Sequence, residues 1–376
     1  MIERRRFVAA AALSPLIATA GMRRAHAAAE PILVGQSAAL TGPQAAFGVE
    51  MNAGIKLYFS RVNAGEGIAG RKVELIAEDD QGREEMTANK TQVLIGRGAQ
   101  ALIGYTTRPC SVAGAGLADK AGIPFIAPFS GTPALYKNYR TTFTVRASYD
   151  EELQAIMDYF TTVGQDEIAF VYLNDAKSTN LPLVEAILKK KNLALKGHAG
   201  VDRTSADTKA TVEAIAKVQP QAVAMLANNL PAASFIRGFR EKMPGVPIAI
   251  VSFVDAEQLI RTLGPVASGV MFSQVVPPPT RRSRMVVEEF RKAWDRTYPQ
   301  RTPSFTALEG YIGARALTEA LKHTGPKAAP SNIVSGLEAV DAIDLGSHVI
   351  GYSHQRHNGS HYVNMMAAAR SGGFVD

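Results

Sequence analysis

Cysteine occurs once in this 376-residue chain, at Cys110, and tryptophan once, at Trp294. A single cysteine excludes an internal disulfide, so the fold has to be held by a large apolar core, which a chain of this length can supply. There is no Gly-x-Ser-x-Gly elbow and no Walker loop, which removes the two commonest sequence marks of hydrolase and nucleotide-phosphate chemistry. Beyond the first residues no apolar run approaches the length of about 18 that a membrane-spanning helix needs. Charge of one sign is also scarce. The chain carries 41 Lys and Arg against 34 Asp and Glu. Setting aside Arg4, Arg5, Arg6, Arg23, Arg24 and Glu3 leaves 36 against 33, a balance that gives no reason to expect nucleic acid.

What is present starts with those residues. Met1 to Arg6 is a short basic head, Phe7 to Gly21 an alanine-rich apolar run, and Ala25-His26-Ala27-Ala28-Ala29 a small-residue stretch that offers cleavage after Ala27. This is the three-part layout of an export signal. Arg4-Arg5-Arg6-Phe7 also fits a twin-arginine signal, so both export routes stay open. Residues 1–27 are therefore expected to be a signal peptide and the mature protein to be periplasmic.

The remainder alternates between strand and helix patterns. Strands are expected at 32–35, 73–77, 101–104, 123–127, 167–172, 222–226 and 247–251. Helices are expected at 45–62, 87–96, 111–121, 151–163, 180–192, 208–218, 232–243, 283–298 and 304–323. Each strand runs into a loop that opens a helix, the signature of a parallel α/β sheet, and the pattern restarts after Arg146. Two doubly wound lobes are expected, with Pro277 to Arg282 as a rigid exposed connection.

Open α/β sheets bind ligands beyond the carboxyl ends of their strands. That rule points to the loops at 104–111, 127–132, 173–178, 227–230 and 252–255. In the first, Tyr105, Thr106, Thr107 and Arg108 enter a helix whose leading amides suit a carboxylate. The bland alternative is a simple N-cap by Thr107 or Ser111. Phe129, Ser130, Gly131 and Thr132 in the second loop either line the site or only form a turn. His357 and His361 would hold a metal if helical, but Asn358-Gly359 between them favours a turn, so no metal and no cofactor are expected. Cys110 reads as a buried inert thiol and Trp294 as a packing residue.

Thr41-Gly42-Pro43, Phe47-Gly48, Gly67-Ile68-Ala69-Gly70-Arg71-Lys72-Val73-Glu74-Leu75, Glu78-Asp79-Asp80, Ala121 to Pro128, Phe143 to Ala147, and the later Phe290, Trp294, Tyr298-Pro299, Pro303-Ser304 and Tyr311 follow one another in a characteristic order. In that order they resemble the branched-chain-amino-acid-type periplasmic binding proteins of ABC importers. The resemblance implies two Rossmann-like lobes joined by three hinge crossings, near Arg146-Ala147, Gln274-Val275 and Leu345-Gly346. The lobes would be 28–146 with 275–345, and 147–274 with 346–376. It also implies a solute held between the lobes, delivery to membrane permease subunits, and a monomer or weak dimer with no enzymatic activity.

The departures from the family pattern bear on the ligand. Arg108 stands where a serine is usual, and Gly131 falls at the usual threonine, beside Ser130 and Thr132. Asp175-Ala176-Lys177-Ser178 replaces an Asp-x-Tyr-Gly run, so Lys177 takes the place of the covering aromatic. Tyrosine is absent at Asn228-Asn229. The acid that would pair with a ligand ammonium is missing near Ser252-Phe253, with Asp255 the nearest substitute. A buried ammonium without a carboxylate is costly. The expected ligand is therefore a small organic acid, with aromatic acids and dicarboxylates included, gripped by Arg108 and Lys177 and packed against Phe47, Tyr105 and Phe253, with a branched-chain amino acid or amide as the remaining alternative. Asn229 completes the candidate set. The alternative for Arg108 and Lys177 is that they point to solvent. A clamshell sensor coupled to a receptor or regulator is the second functional class, and an exported enzyme the third.

Overall fold

In the computed structural model the apolar runs read as strands assemble into two separate sheets. The structure describes residues 29–281, 285–324, 328–346 and 348–375. The expected signal segment, 1–27, lies outside them.

The first half of the chain gives β1 (Ile32–Ala38), α1 (Ala45–Ala64), β2 (Val73–Asp79), α2 (Glu84–Gly96), β3 (Ala101–Ile103), α3 (Arg108–Ala121), β4 (Phe125–Ile126), α4 (Pro133–Lys137) and β5 (Thr142–Phe143). These five strands are parallel, in the order β2-β1-β3-β4-β5. The chain then forms α5 (Tyr149–Thr162), β6 (Ile168–Leu173), α6 (Lys177–Lys190), β7 (Gly197–Val201), α7 (Lys209–Lys217), β8 (Ala222–Leu226), α8 (Asn229–Lys242), β9 (Ile248–Ile250), α9 (Ala256–Leu263) and β10 (Met271–Gln274). After β10 come α10 (Met285–Thr297), α11 (Phe305–His323), α12 (Pro330–Glu338), β11 (Ile343–Asp344), β12 (Val349–Ile350), β13 (Asn364–Ala368) and β14 (Phe374–Val375). The second sheet has the order β14-β13-β10-β9-β8-β6-β7, parallel except for β13 and β14. The α/β fold with two parallel-sheet lobes is thus the one expected.

Local chemistry accounts for several boundaries. Gly122 sits at φ 67° and closes α3 in the left-handed conformation that glycine adopts without a Cβ clash. Ser148 caps α5 in a reciprocal box with Glu151, and Ser304 caps α11 by accepting from the Ala307 amide. Helix α1 crosses α11 with unusual closeness. A Cβ at Gly54 would lie 1.8 Å from the Ala307 carbonyl oxygen, and one at Gly310 would lie 2.5 Å from that of Met51. The glycines let two backbones touch and bind the late helix α11 to the first sheet's layer. Trp294 is fully buried, as expected, with its indole N–H donating to the Arg301 carbonyl at 2.8 Å.

The chain passes between the sheets three times: between β5 and α5, after β10, and before β13. The first passage follows Phe143 and the second follows Gln274. The third does not fall at Leu345-Gly346, because that pair sits in the turn joining β11 to β12, where the Leu345 amide donates to the His348 carbonyl at 2.9 Å. The segment that follows stays with the first sheet. Thr144 accepts from the Gly359 amide at 3.0 Å and donates to the His357 carbonyl at 3.0 Å, and Phe143 packs edge-on against Tyr352. The chain rejoins the second sheet only at Asn364. A second correction concerns Pro277 to Arg282. Val275 to Pro279 is buried, with only Thr280 and Arg281 exposed, and Arg282 lies outside the described residues.

Candidate functional site

The carboxyl ends of both sets of parallel strands face one another, and four aromatic rings meet there. Phe47 on α1 lies 5.3 Å from Phe129 and 5.9 Å from Phe253, stacked on the latter at 18°. Phe253, from the loop after β9, also meets Tyr149 edge-on at 6.4 Å. Phe47 and Phe129 come from the first sheet's layer and Phe253 and Tyr149 from the second, so the cluster is built across the two.

Arg146 lies behind it, with its guanidinium 5.0 Å from the Phe129 ring centre and 5.9 Å from that of Tyr149. This arginine is fully buried and flanked by two buried carboxylates, Glu152 at 3.3 Å and Glu309 at 3.5 Å. It also bonds the Ser252 hydroxyl. Burial opposes its charge, yet Glu309 and Glu152 outweigh that and hold the guanidinium firmly protonated. Glu152 is well solvated by protein: it accepts from the Ser252 amide at 2.7 Å, the Ser252 hydroxyl at 3.0 Å and the Ser273 hydroxyl at 2.6 Å. Glu309 lacks such support, and burial pushes its carboxyl up to about 7 even beside Arg146. The sequence marked Arg146 as a hinge position only. Its partners are 6 and 163 residues away, and nothing local announces the second.

The expected site residues divide among several environments. Tyr105 does not face the cleft. It is buried in a satellite core between α2 and α3, where its hydroxyl meets Thr91 at 3.0 Å and its ring meets Phe125 at 4.9 Å. Thr106 and Thr107 are buried, and Thr106 bridges to Phe129. Thr107 holds φ at 66° and its hydroxyl makes no cap bond to α3, while the Ser111 hydroxyl donates to the Tyr105 carbonyl. Neither simple cap is therefore formed. Arg108 is half-buried at the start of α3 and is not among the cavity-lining residues described below. Ser130, Gly131 and Thr132 form a buried turn, with the Gly131 carbonyl accepting from the Tyr149 amide at 2.8 Å. Lys177 is exposed at the start of α6, which matches its solvent-facing alternative. Asp255 spends its carboxylate capping α9 through the Gln258 amide, and burial raises its pKa. Asn229 is tied to Asp255 in both directions, donating to its carbonyl at 2.8 Å and accepting from its amide at 2.9 Å.

Beside the aromatic cluster, at its solvent side, lies a cavity of about 570 Å³. One wall is the entry to α1, Pro43 to Phe47. The opposite wall is the face of α8 that carries Leu230, Ala233, Ser234 and Arg237, spaced so that all four share one side. Arg203, from the loop after β7, forms a third wall. It grips Asp175 in a bidentate fork at 2.9 and 3.1 Å, donates to Asn228 Oδ1 at 3.2 Å, and has its guanidinium 5.9 Å from the Phe253 ring centre. Of the residues expected from sequence, Phe47 and Asn229 line this cavity. Its described lining contains two arginines, Arg203 and Arg237, and no aspartate or glutamate.

Among the described residues no group of three or more His, Cys, Asp and Glu is placed to hold a metal, and no helix is long and apolar enough to cross a membrane. His357 is not helical: it stacks on Phe143 at 3.9 Å and its Nε2 meets Glu338 at 3.2 Å. Cys110 is buried, which pushes its thiol pKa up and keeps it in the unreactive form.

Comparison with known proteins gives a consistent result. A family model described as "Periplasmic binding protein" matches residues 31–373. A Leu/Ile/Val-binding protein homolog 3 of Brucella melitensis is 27% identical over 148 residues, an alignment that takes in 39% of this chain and 40% of that relative. A possible leucine/isoleucine/valine-binding protein from Rhodopirellula baltica superposes with a TM-score of 0.87 at 27% identity, covering 93% of this chain and 97% of its own. An extracellular ligand-binding receptor from Verminephrobacter eiseniae gives 0.86 at 26%, covering 92% and 100%.

Proposed function

The chain belongs to the periplasmic binding protein family, and from that premise we propose that it is an extracytoplasmic receptor that captures a small carboxylate-bearing solute between its two lobes and delivers it to an ABC importer. Residues 1–27 act as the export signal in this reading. The two sheets are the cores of lobes that swing about the three crossings, and the permease subunits recognise the form in which the lobes have met over solute. The protein binds and releases, and performs no chemistry on its ligand.

One observation carries the reading: a cavity of about 570 Å³ with one wall from α1 and the other from α8, so that a solute in it touches both lobes. A solute that bridges both lobes favours their closure by its differential contacts in the closed form. Such a volume suits a small organic molecule. The names of the relatives make the branched-chain amino acids the competing ligand class.

The test is a thermal-shift panel on residues 28–376 with leucine, isoleucine, valine, aliphatic and aromatic acids, dicarboxylates and small amides. A ligand at about 100 times its dissociation constant adds ~2.7 kcal/mol, worth a couple of degrees or more. A shift with at least one of these classes is expected. A flat response across the whole panel would refute capture of a small carboxylate.

A further inference from the structure

Resting on that receptor reading, we infer that the cavity receives a carboxylate with no ammonium beside it, and that Asn228, on the second lobe, is the residue that selects it. Asn228 is the N-cap residue of α8 and only 3% exposed, yet its side chain makes no cap hydrogen bond. Its Oδ1 accepts from Arg203 Nη1 at 3.2 Å. A guanidinium offers only donors, so the amide must turn its oxygen toward Arg203 and its NH₂ away. That Nδ2 is buried and has no hydrogen-bond partner among the described residues. A buried donor left without an acceptor is costly unless function supplies one.

The surroundings specify which acceptor. Asn228 lines the cavity together with Asn229 and Leu230, whose amides belong to the first turn of the 14-residue α8 and carry partial positive charge. Arg203 and Arg237 add two guanidiniums. Arg203 is fixed in place by Asp175, and Arg237 is anchored through the Thr262 carbonyl, so neither needs to reorganise to meet an anion. The described lining holds no carboxylate. Asp175 is already engaged by Arg203, and Asp255 caps α9. An α-ammonium placed here would meet two cations and only neutral acceptors. The apolar side of the cavity, Pro43, Ala46 and Phe47, faces the body of the solute. A monocarboxylate with an apolar or aromatic tail fits this polarity, and the matching amino acid does not.

Isothermal titration of residues 28–376 tests this with two pairs that differ only in the amine: 4-methylpentanoate against leucine, and 3-phenylpropanoate against phenylalanine. In at least one pair the acid is expected to bind tenfold or more tightly than its amino acid. Asn228→Asp, which replaces the donor by a like charge, is expected to weaken that acid about a hundredfold, with the melting temperature recorded to show that the variant is folded. Tighter binding of the amino acid in both pairs overturns the inference and leaves the receptor reading standing. So does acid binding that a folded Asn228→Asp leaves unchanged. Failure of all four compounds and of the wider panel removes the receptor reading as well. The pairwise comparison needs no variant and stands if Asn228→Asp does not fold.

Discussion

Replacing Arg146 by methionine strips the cation from between Glu152 and Glu309, both within 3.5 Å of it and both buried. Methionine fills much of the volume, so the loss is electrostatic. Breaking a buried ion pair from one side costs about 3–5 kcal/mol because the remaining charge stays uncompensated. Glu152 keeps its three hydrogen bonds from Ser252 and Ser273, and the unsupported carboxylate is Glu309. Already raised to about 7 beside the arginine, Glu309 will take up a proton without it. The destabilisation should therefore be larger at pH 8, where that proton is scarce, than at pH 5. Calorimetry of residues 28–376 at both pH values should show a melting point lowered by several degrees at pH 8. Glu309→Gln in the same background should recover part of the loss. A loss under about 1 kcal/mol, or one equal at both pH values, would refute the electrostatic account of this site.

Three further outcomes can be checked. In the wild-type chain the folded pKa of Glu309, about 7, exceeds its ordinary value of 4.5, so the folded state holds the proton more tightly. Its contribution is full below pH 4.5 and lost as pH rises through 7, a loss of roughly 3 kcal/mol that Glu309→Gln should abolish in urea titrations across that range. Tyr105→Phe deletes the hydroxyl contact to Thr91, so it should cost about 1 kcal/mol of stability while calorimetric solute affinity stays at the wild-type value. Gly54→Ala drives a methyl into the Ala307 carbonyl and should lower the unfolding free energy by at least about 1–3 kcal/mol, measured by denaturant unfolding.

The second sheet's central strands were legible because parallel strands covered on both faces read as unbroken apolar runs, as at Ala222–Leu226, where every residue is buried. The edge strand β7, Gly197–Val201, was not. Its sequence Gly-His-Ala-Gly-Val is neither continuous nor alternating, and only its last residue is buried. Without β7 there is no carboxyl-end loop at 203–206, and Arg203, which forms a wall of the cavity, passed unnoticed. The rule that ligands sit past strand ends points to loops, but it does not say which side chain of a loop turns inward. Tyr105 and Thr106 are neighbours in sequence; the first belongs to a core under α2 and α3, while the second touches Phe129. The helix Ala256–Leu263 is short, and its start makes Asp255 a cap, a role that the loop sequence alone does not announce. The sequence marks Arg146 only as a hinge position, because its burial against Glu309 depends on the packing of α11.

The three passages between the sheets, the first and last of them hydrogen-bonded through Thr144, His357 and Gly359, also bear on what a protease could achieve. A single cut between β5 and α5 would separate the first 140-odd residues from the rest in covalent terms only. The larger fragment still carries α11, which lies against α1 with backbone touching backbone at Gly54, and it still carries the other two passages. A nicked molecule should therefore persist as a two-fragment complex, with the two halves held at high effective concentration by the uncut passages.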